Sequence, residues 1–172
     1  MNETKKYLAR SMLFWLTNFL RKLYNNVVNR FIVHTTAAHL VDEDAFFRTG
    51  ESGGTSCYSA YELANSLIDT EYSTDNWNVY VWHSSDGEDG EVARTIEEIK
   101  KMMARNINMF GYGEIRPKEG LHFNFSGGLL YKSIHDAFAL KETQGDLKMI
   151  SGDKDLPILG MQIEIKEDVW PA

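Results

Sequence analysis

The chain has 172 residues and a formal charge of −7, which suffices for one hydrophobic core and falls short of two, so a single domain over residues 1–172 is expected. The acidic balance opposes phosphate backbones, and basic residues cluster only in pairs such as Lys100-Lys101, so nucleic acid is not an expected partner. No apolar run reaches membrane length, the stretch Met1 to Lys6 lacks the apolar centre of a secretory signal, Cys57 is the single cysteine, and zinc-type Cys/His spacing is missing; a cytoplasmic protein with no membrane partner, disulfide or structural zinc is expected.

Leu8, Met12, Trp15, Leu16, Phe19, Leu20 and Leu23 recur at three- and four-residue steps and predict a first helix ending at Asn25-Asn26. Leu13 and Phe14 widen its apolar face, so deep burial between a sheet and another layer is expected. Arg30 to Thr36 is rich in β-branched and aromatic residues and reads as a strand, with a second at Ala38 to Val41. Asp42 is placed to cap a helical turn through Phe47. The Gly-rich loop Thr49 to Thr55 precedes a helix over Ser56 to Tyr72. A strand from Trp77 to Ser84 runs into the polar loop ending at Gly90. Val92, Ile96, Ile99, Met102 and Met103 mark an amphipathic helix over Glu91 to Arg105, followed by a strand from Ile107 to Ile115. Pro117 to Gly128 reads as irregular and Leu129 to Leu140 as helical. Lys148 to Ser151 and Ile158 to Lys166 have strand character, and Asp168 to Ala172 reads as the start of a helix.

This alternation of strand and helix predicts an α/β fold with a mostly parallel sheet flanked by helices, a three-layer, Rossmann-like arrangement. Ligand sites in such sheets lie beyond the carboxyl ends of the strands. The loops Glu51 to Thr55 and Ser84 to Asp89 suit that place.

Three ordered motifs carry a resemblance: Phe46 to Thr55, then Trp77-Asn78-Val79-Tyr80 with Ser85-Asp86-Gly87 behind it, then Phe110-Gly111-Tyr112. Together they resemble the bacterial YeaH/YhbH family over most of Lys5 to Ile115. That family is similar to von Willebrand factor A domains, in which a divalent cation sits among three loops. The resemblance implies that Thr55 and Asp86 are metal ligands, and that Glu51, Ser52, Gly53, Gly54, Ser84 and Ser85 form a partner-binding loop face. It also implies a departure. Met1 aligns just after the Asp-x-Ser-x-Ser segment that should follow the first strand, so that strand and its ligands fall outside the sequence. Three resolutions are open: a rearranged strand order, a strand borrowed from another copy by self-association, or a start upstream, which is the expectation here. Thr55 and Asp86 alone supply one charge and one weak ligand, whereas Mg²⁺ asks for near-octahedral oxygen coordination. Mg²⁺ is therefore expected in the intact family site and no tightly bound cofactor in this chain.

Other residues have bland readings beside sharper ones. Gly53-Gly54 suits any flexible connector, Asp86-Gly87 is an ordinary turn pair, and Ser126-Gly127-Gly128 suits an anion nest less well than a plain loop. His83 beside Ser84, Ser85 and Asp86 does not read as a catalytic triad, because neighbours on a strand alternate faces. Cys57 near a helix start is expected to be buried and inert, although helix N-termini favour thiolates. His34 and His39 would need further metal ligands that the spacing does not supply. Trp15, Trp77 and Trp82 read as core aromatics.

The expected function is a non-enzymatic protein-protein interaction module in which a partner's carboxylate completes a cation site. The resemblance implies a setting in bacterial stress response or sporulation, with a PrkA-type serine protein kinase and a SpoVR-type protein as candidate partners. The alternative is a metal-assisted hydrolase using Asp86, Asp89 and Glu51, for which no nucleophile with base and orienting group is found.

Overall fold

The computed structural model describes residues 3–48, 56–117, 130–143 and 148–165. A long first helix, α1 (Glu3–Leu23), leads to a hairpin of β1 (Phe31–His34) and β2 (Ala38–Val41) and to the short α2 (Glu43–Arg48). Next come α3 (Cys57–Thr70), β3 (Tyr80–Ser85), α4 (Val92–Met103) and β4 (Met109–Pro117). The described chain ends with α5 (Leu130–Phe138), β5 (Lys141–Glu142), β6 (Lys148–Ser151) and β7 (Ile158–Ile165). Asp42 caps α2 as its side chain predicts, accepting the Ala45 amide at 2.7 Å.

The main sheet has the order β3-β4-β7-β6-β5, and β1-β2 forms a separate antiparallel pair. β4 runs parallel to both β3 and β7, which places Tyr112 opposite His83 and Glu114 opposite Ser85. β6 runs antiparallel to β7, and β5 antiparallel to β6. The expected mostly parallel sheet is thus a mixed one. Residues 152–157 join β6 to β7, and so short a link cannot hold the crossover that a parallel neighbour requires. α/β architecture and flanking helices are as expected.

One face of the sheet is covered by α3, α4 and α5. Their apolar stripes bury Tyr61, Ile68, Ile96, Ile99, Met102 and Ile134 against Phe110, Tyr112, Ile150 and Ile158. α1 lies on the other face, where Leu8 and Ala9 meet Ile115 and Ile163. Gly111 and Gly113 clear a floor on that face for Trp82, whose indole N–H donates to Ser84 Oγ at 2.9 Å.

The deep burial expected of α1 is not observed. Its second half leans on α2, with Phe14 edge-on to Phe47 and the Arg21 guanidinium paired with the Glu43 carboxylate. Beyond that contact Trp15, Phe19 and Leu23 face solvent, and Trp15 is 72% exposed. Among the described residues no further layer packs over them. The expectation that Trp15 and Trp77 are core aromatics is corrected likewise, since both are exposed, whereas Trp82 is half-buried. The apolar period located the helix but could not show that only one of its two apolar flanks has a partner.

Candidate functional site

β3 delivers its side chains to opposite faces, as its pleat requires. Val81, His83 and Ser85 point toward α3, and Trp82 and Ser84 toward α1. Past Ser85 the loop turns through Gly87 at φ +85°, in the left-handed region that glycine tolerates, and brings Glu88 and Asp89 against the first turn of α3. There the Cys57 amide donates to Asp89 Oδ1 at 3.4 Å, and the Cys57 thiol lies 3.8 Å from the Glu88 carbonyl oxygen. On the α1 side, Lys5 Nζ lies 3.8 Å from Asp86 Oδ2.

Below this rim runs a buried polar chain. The Gly87 amide donates to Ser85 Oγ at 3.1 Å, and the Ser85 and Tyr112 hydroxyls are 2.7 Å apart. Tyr112 donates onward to Glu114 Oε2 at 3.2 Å, so the proton between the two hydroxyls belongs to Ser85. Glu114, 0% exposed, also accepts from the Tyr131 amide and from Gln162 Nε2. Three strands and the start of α5 are thereby tied to one carboxylate, satisfying groups that would be costly to bury unpaired. Burial, then the nearby Glu114 charge, pushes the Tyr112 hydroxyl well above its ordinary pKa.

A second cluster joins elements far apart in sequence. His34 at the end of β1 and His83 on β3 bring their Nε2 atoms to 3.1 Å. The other ring nitrogen of His83, Nδ1, is 2.6 Å from the Tyr61 hydroxyl on α3. Cys57 completes the group, for a ring nitrogen of each histidine and Cys57 Sγ all lie within 4.8 Å of one another. Burial lowers the pKa of both histidines, and His34 lowers that of His83 further, so both rings are neutral near pH 7. Burial and the carboxylates of Asp89 and Asp86 raise the pKa of the Cys57 thiol.

Of the residues expected to form a site, Ser84, Ser85 and Asp86 lie together at the carboxyl end of β3. Glu51, Ser52, Gly53, Gly54 and Thr55 lie outside the described residues, as does Ser126-Gly127-Gly128. The adjoining segment does reach the same rim, since Cys57 contacts Glu88 and Asp89. His39 is exposed on β2 and not in the histidine cluster; the partner of His34 is His83. No spacing rule reveals that pairing, because the two sit on strands of different sheets. Cys57 is buried as expected, and Ser84 faces away from His83.

The family model described as "Protein of unknown function (DUF444)" matches residues 1–155. The chain belongs to the DUF444 family. Its relatives include UPF0229 proteins of Bacillus cereus (strain G9842), Bacillus thuringiensis (strain Al Hakam) and Bacillus anthracis (strain A0248). Each is 44% identical over 140 residues, covering 79% of this chain and 34% of the relative. The chain therefore spans about a third of the length of the curated relatives it matches. No solved structure matches it.

Two of the motifs through which the sequence resembles this DUF444 family have physical explanations in the fold. Gly87 of Ser85-Asp86-Gly87 takes a positive φ over Glu114, and Gly111 of Phe110-Gly111-Tyr112 leaves room for Trp82. The described residues do not fit a tight Mg²⁺ site. Asp86 faces a lysine ammonium, Ser85 Oγ is engaged by Gly87 and Tyr112, and Ser84 Oγ by Trp82, so among the described residues these three expected oxygen donors are already engaged. Among the described residues no helix is long and apolar enough to cross a membrane.

Proposed function

We propose that this chain is a non-enzymatic protein-protein interaction module with a von Willebrand factor A-like fold, acting in the stress- and sporulation-associated setting that its family resemblance implies. The observation that carries the reading is the ridge of Trp15, Phe19 and Leu23, which stand at four-residue steps along α1 and are all exposed. Such a stripe, open to water over two helical turns, is what a partner protein covers in a helix-to-surface contact. Trp15 supplies the kind of large aromatic anchor on which binding energy concentrates.

Lys5 anchors the other end of α1 beside Asp86. At 1.5 Å of rise per residue the rim lies about 15 Å along the axis from Trp15. A partner spanning that length would meet an apolar ridge and then the rim at Ser84 and Asp86. The remnant metal site is a flank of this surface in the present reading, and not its centre. A PrkA-type serine protein kinase and a SpoVR-type protein are the partners to try.

The test is calorimetric titration of the purified chain with each candidate partner, using Trp15→Ser and Phe19→Ser beside Tyr80→Ser, an exposed aromatic of β3. Binding should weaken at least tenfold in the two α1 variants and stay unchanged in Tyr80→Ser. Equal affinity in all three would overturn the ridge. Phosphatase or esterase turnover with Mg²⁺ or Mn²⁺ that disappears in Asp86→Ala would overturn the non-enzymatic reading.

A further inference from the structure

We propose that His34, Cys57 and His83 form a binding site for a zinc-class divalent cation, which clasps the β1-β2 hairpin to the main sheet. This site is separate from the rim at Asp86 and uses nitrogen and sulfur where an Mg²⁺ site would use oxygen.

The geometry is close to what such an ion requires. Tetrahedral zinc with Zn–N near 2.0–2.1 Å and Zn–S near 2.3 Å sets its ligand atoms about 3.3–3.6 Å apart. Here the two Nε2 atoms are already 3.1 Å apart, and the thiol sulfur lies within 4.8 Å of its nitrogen partners. Binding would draw the thiol sulfur in toward the two nitrogens.

The hydrogen bonds have the pattern of an outer shell. With a cation on Nε2, His83 carries its proton on Nδ1 and donates it to the Tyr61 oxygen 2.6 Å away, the arrangement that fixes a ligating imidazole. Without a cation, the contact between the two Nε2 atoms must be an N–H donated from one ring to the other. In either state His34 Nδ1 is buried with no hydrogen-bond partner among the described residues, so it does not distinguish the two.

A second observation points the same way. Asp89 is 8% exposed; its Oδ1 accepts the amides of Cys57 and Glu91, yet its Oδ2 has no partner among the described residues. Its negative charge bears on both His34 and Cys57. On binding, the cation replaces the thiol proton, which leaves to solvent. Thiolate and Asp89 carboxylate then balance the two positive charges, while both imidazoles stay neutral. Neutrality is the condition under which a buried ion is tolerated. A thiolate with two imidazoles also selects zinc-class ions over Mg²⁺, which prefers oxygen.

The clasp follows from where the ligands sit. β1-β2 shares no strand ladder with the five-stranded sheet among the described residues, and His34 against His83 is a direct polar bridge between them. Cys57 brings in α3, so one ion would tie three elements together.

The experiment is a titration of the chelator-treated full chain with Co²⁺, followed by absorption. One equivalent should give the intense visible bands of tetrahedral cobalt and a thiolate-to-cobalt charge-transfer band. Zn²⁺ should abolish these bands, an excess of Mg²⁺ should leave them, and Zn²⁺ should raise the melting temperature. Cys57→Ser should remove the charge-transfer band and His34→Gln should weaken Co²⁺ binding at least tenfold; His34 is only partly buried, so its variant keeps the core intact even if Cys57→Ser fails to fold. A wild-type chain without these bands, or one whose affinity is unchanged in His34→Gln, would overturn the site. Phe19→Ser should leave the spectrum intact, which separates this outcome from the fate of the α1 ridge.

Discussion

Gly87 lies directly over Glu114: a Cβ built on it would stand 2.5 Å from Glu114 Oε2, and its φ is +85°. The rim loop therefore rests on a fully buried carboxylate that already holds Tyr112, Gln162 and the Tyr131 amide. Any side chain at 87 must displace Glu114 while adopting a strained backbone. Gly87→Ala is expected to cost about 2–3 kcal/mol, from the strain of a left-handed non-glycine residue together with a perturbed buried network. Urea denaturation gives the number, and a loss under half a kcal/mol would show that Glu114 moves freely.

Gly111 stands in a similar relation to Trp82, with a Cβ only 2.2 Å from ring atom Cε3. Gly111→Ala should destabilise the chain by about 1–3 kcal/mol through overpacking. Trp82→Leu removes the ring and should recover part of that loss, so the double variant ought to be more stable than the two single losses added together would give. Strict additivity in a denaturation cycle would mean that the clash is relieved elsewhere.

These two glycines also show what could be read from the chain alone. Helix and strand positions were legible, because 3.6-residue apolar periods at Val92 to Met103 and a β-branched run at Phe31 to His34 are local signals. The loops around Gly87 were recognisable as loops for the same reason. Sheet direction was legible only as far as the β-helix-β alternation reached, and the returning β6 and β5 fell outside it. The exposure of Trp15 was hidden because an apolar period states which side chains want partners and not whether a partner is there. The His34, Cys57 and His83 cluster was hidden more thoroughly. Its members come from a hairpin, a helix start and an inner face of β3, so their meeting is a property of tertiary packing with no trace in spacing.

Asn65 on α3 donates both to the Glu98 carbonyl at 3.1 Å and to the Glu98 carboxylate at 3.0 Å, pinning α3 to α4. Burial pushes the Glu98 carboxyl up, but hydrogen bonds from Lys101 and Asn65, with the lysine charge, outweigh it and hold its pKa below the usual 4.5. A carboxylate with a depressed folded pKa contributes stability that is fully present above the unfolded value and lost as pH falls through the folded one. Unfolding free energy should thus decline as pH drops below about 4.5, and Asn65→Ala should flatten that decline while costing about 1–3 kcal/mol at neutral pH. Melting curves of both proteins between pH 3 and 7 test this, and parallel pH profiles would remove Asn65 from the account.

Asp86 and Lys5 give the last expectation, because an ammonium 3.8 Å from the carboxylate occupies the electrostatic role a cation would take. Both side chains are largely covered, at 16% and 12% exposure, so their attraction is less screened than at an open surface. An incoming Mg²⁺ must displace that charge and shed water for the Asp86 carboxylate without the hydroxyls of Ser84 and Ser85, which are engaged elsewhere. Isothermal titration of the chain with Mg²⁺ should therefore show no saturation at micromolar concentrations. Lys5→Ala removes the competitor without adding ligands, so it should strengthen Mg²⁺ binding only modestly. A saturating micromolar isotherm in the unaltered chain would mean that oxygen donors outside the described residues complete the site, and Lys5 would then have to swing away from Asp86 on binding.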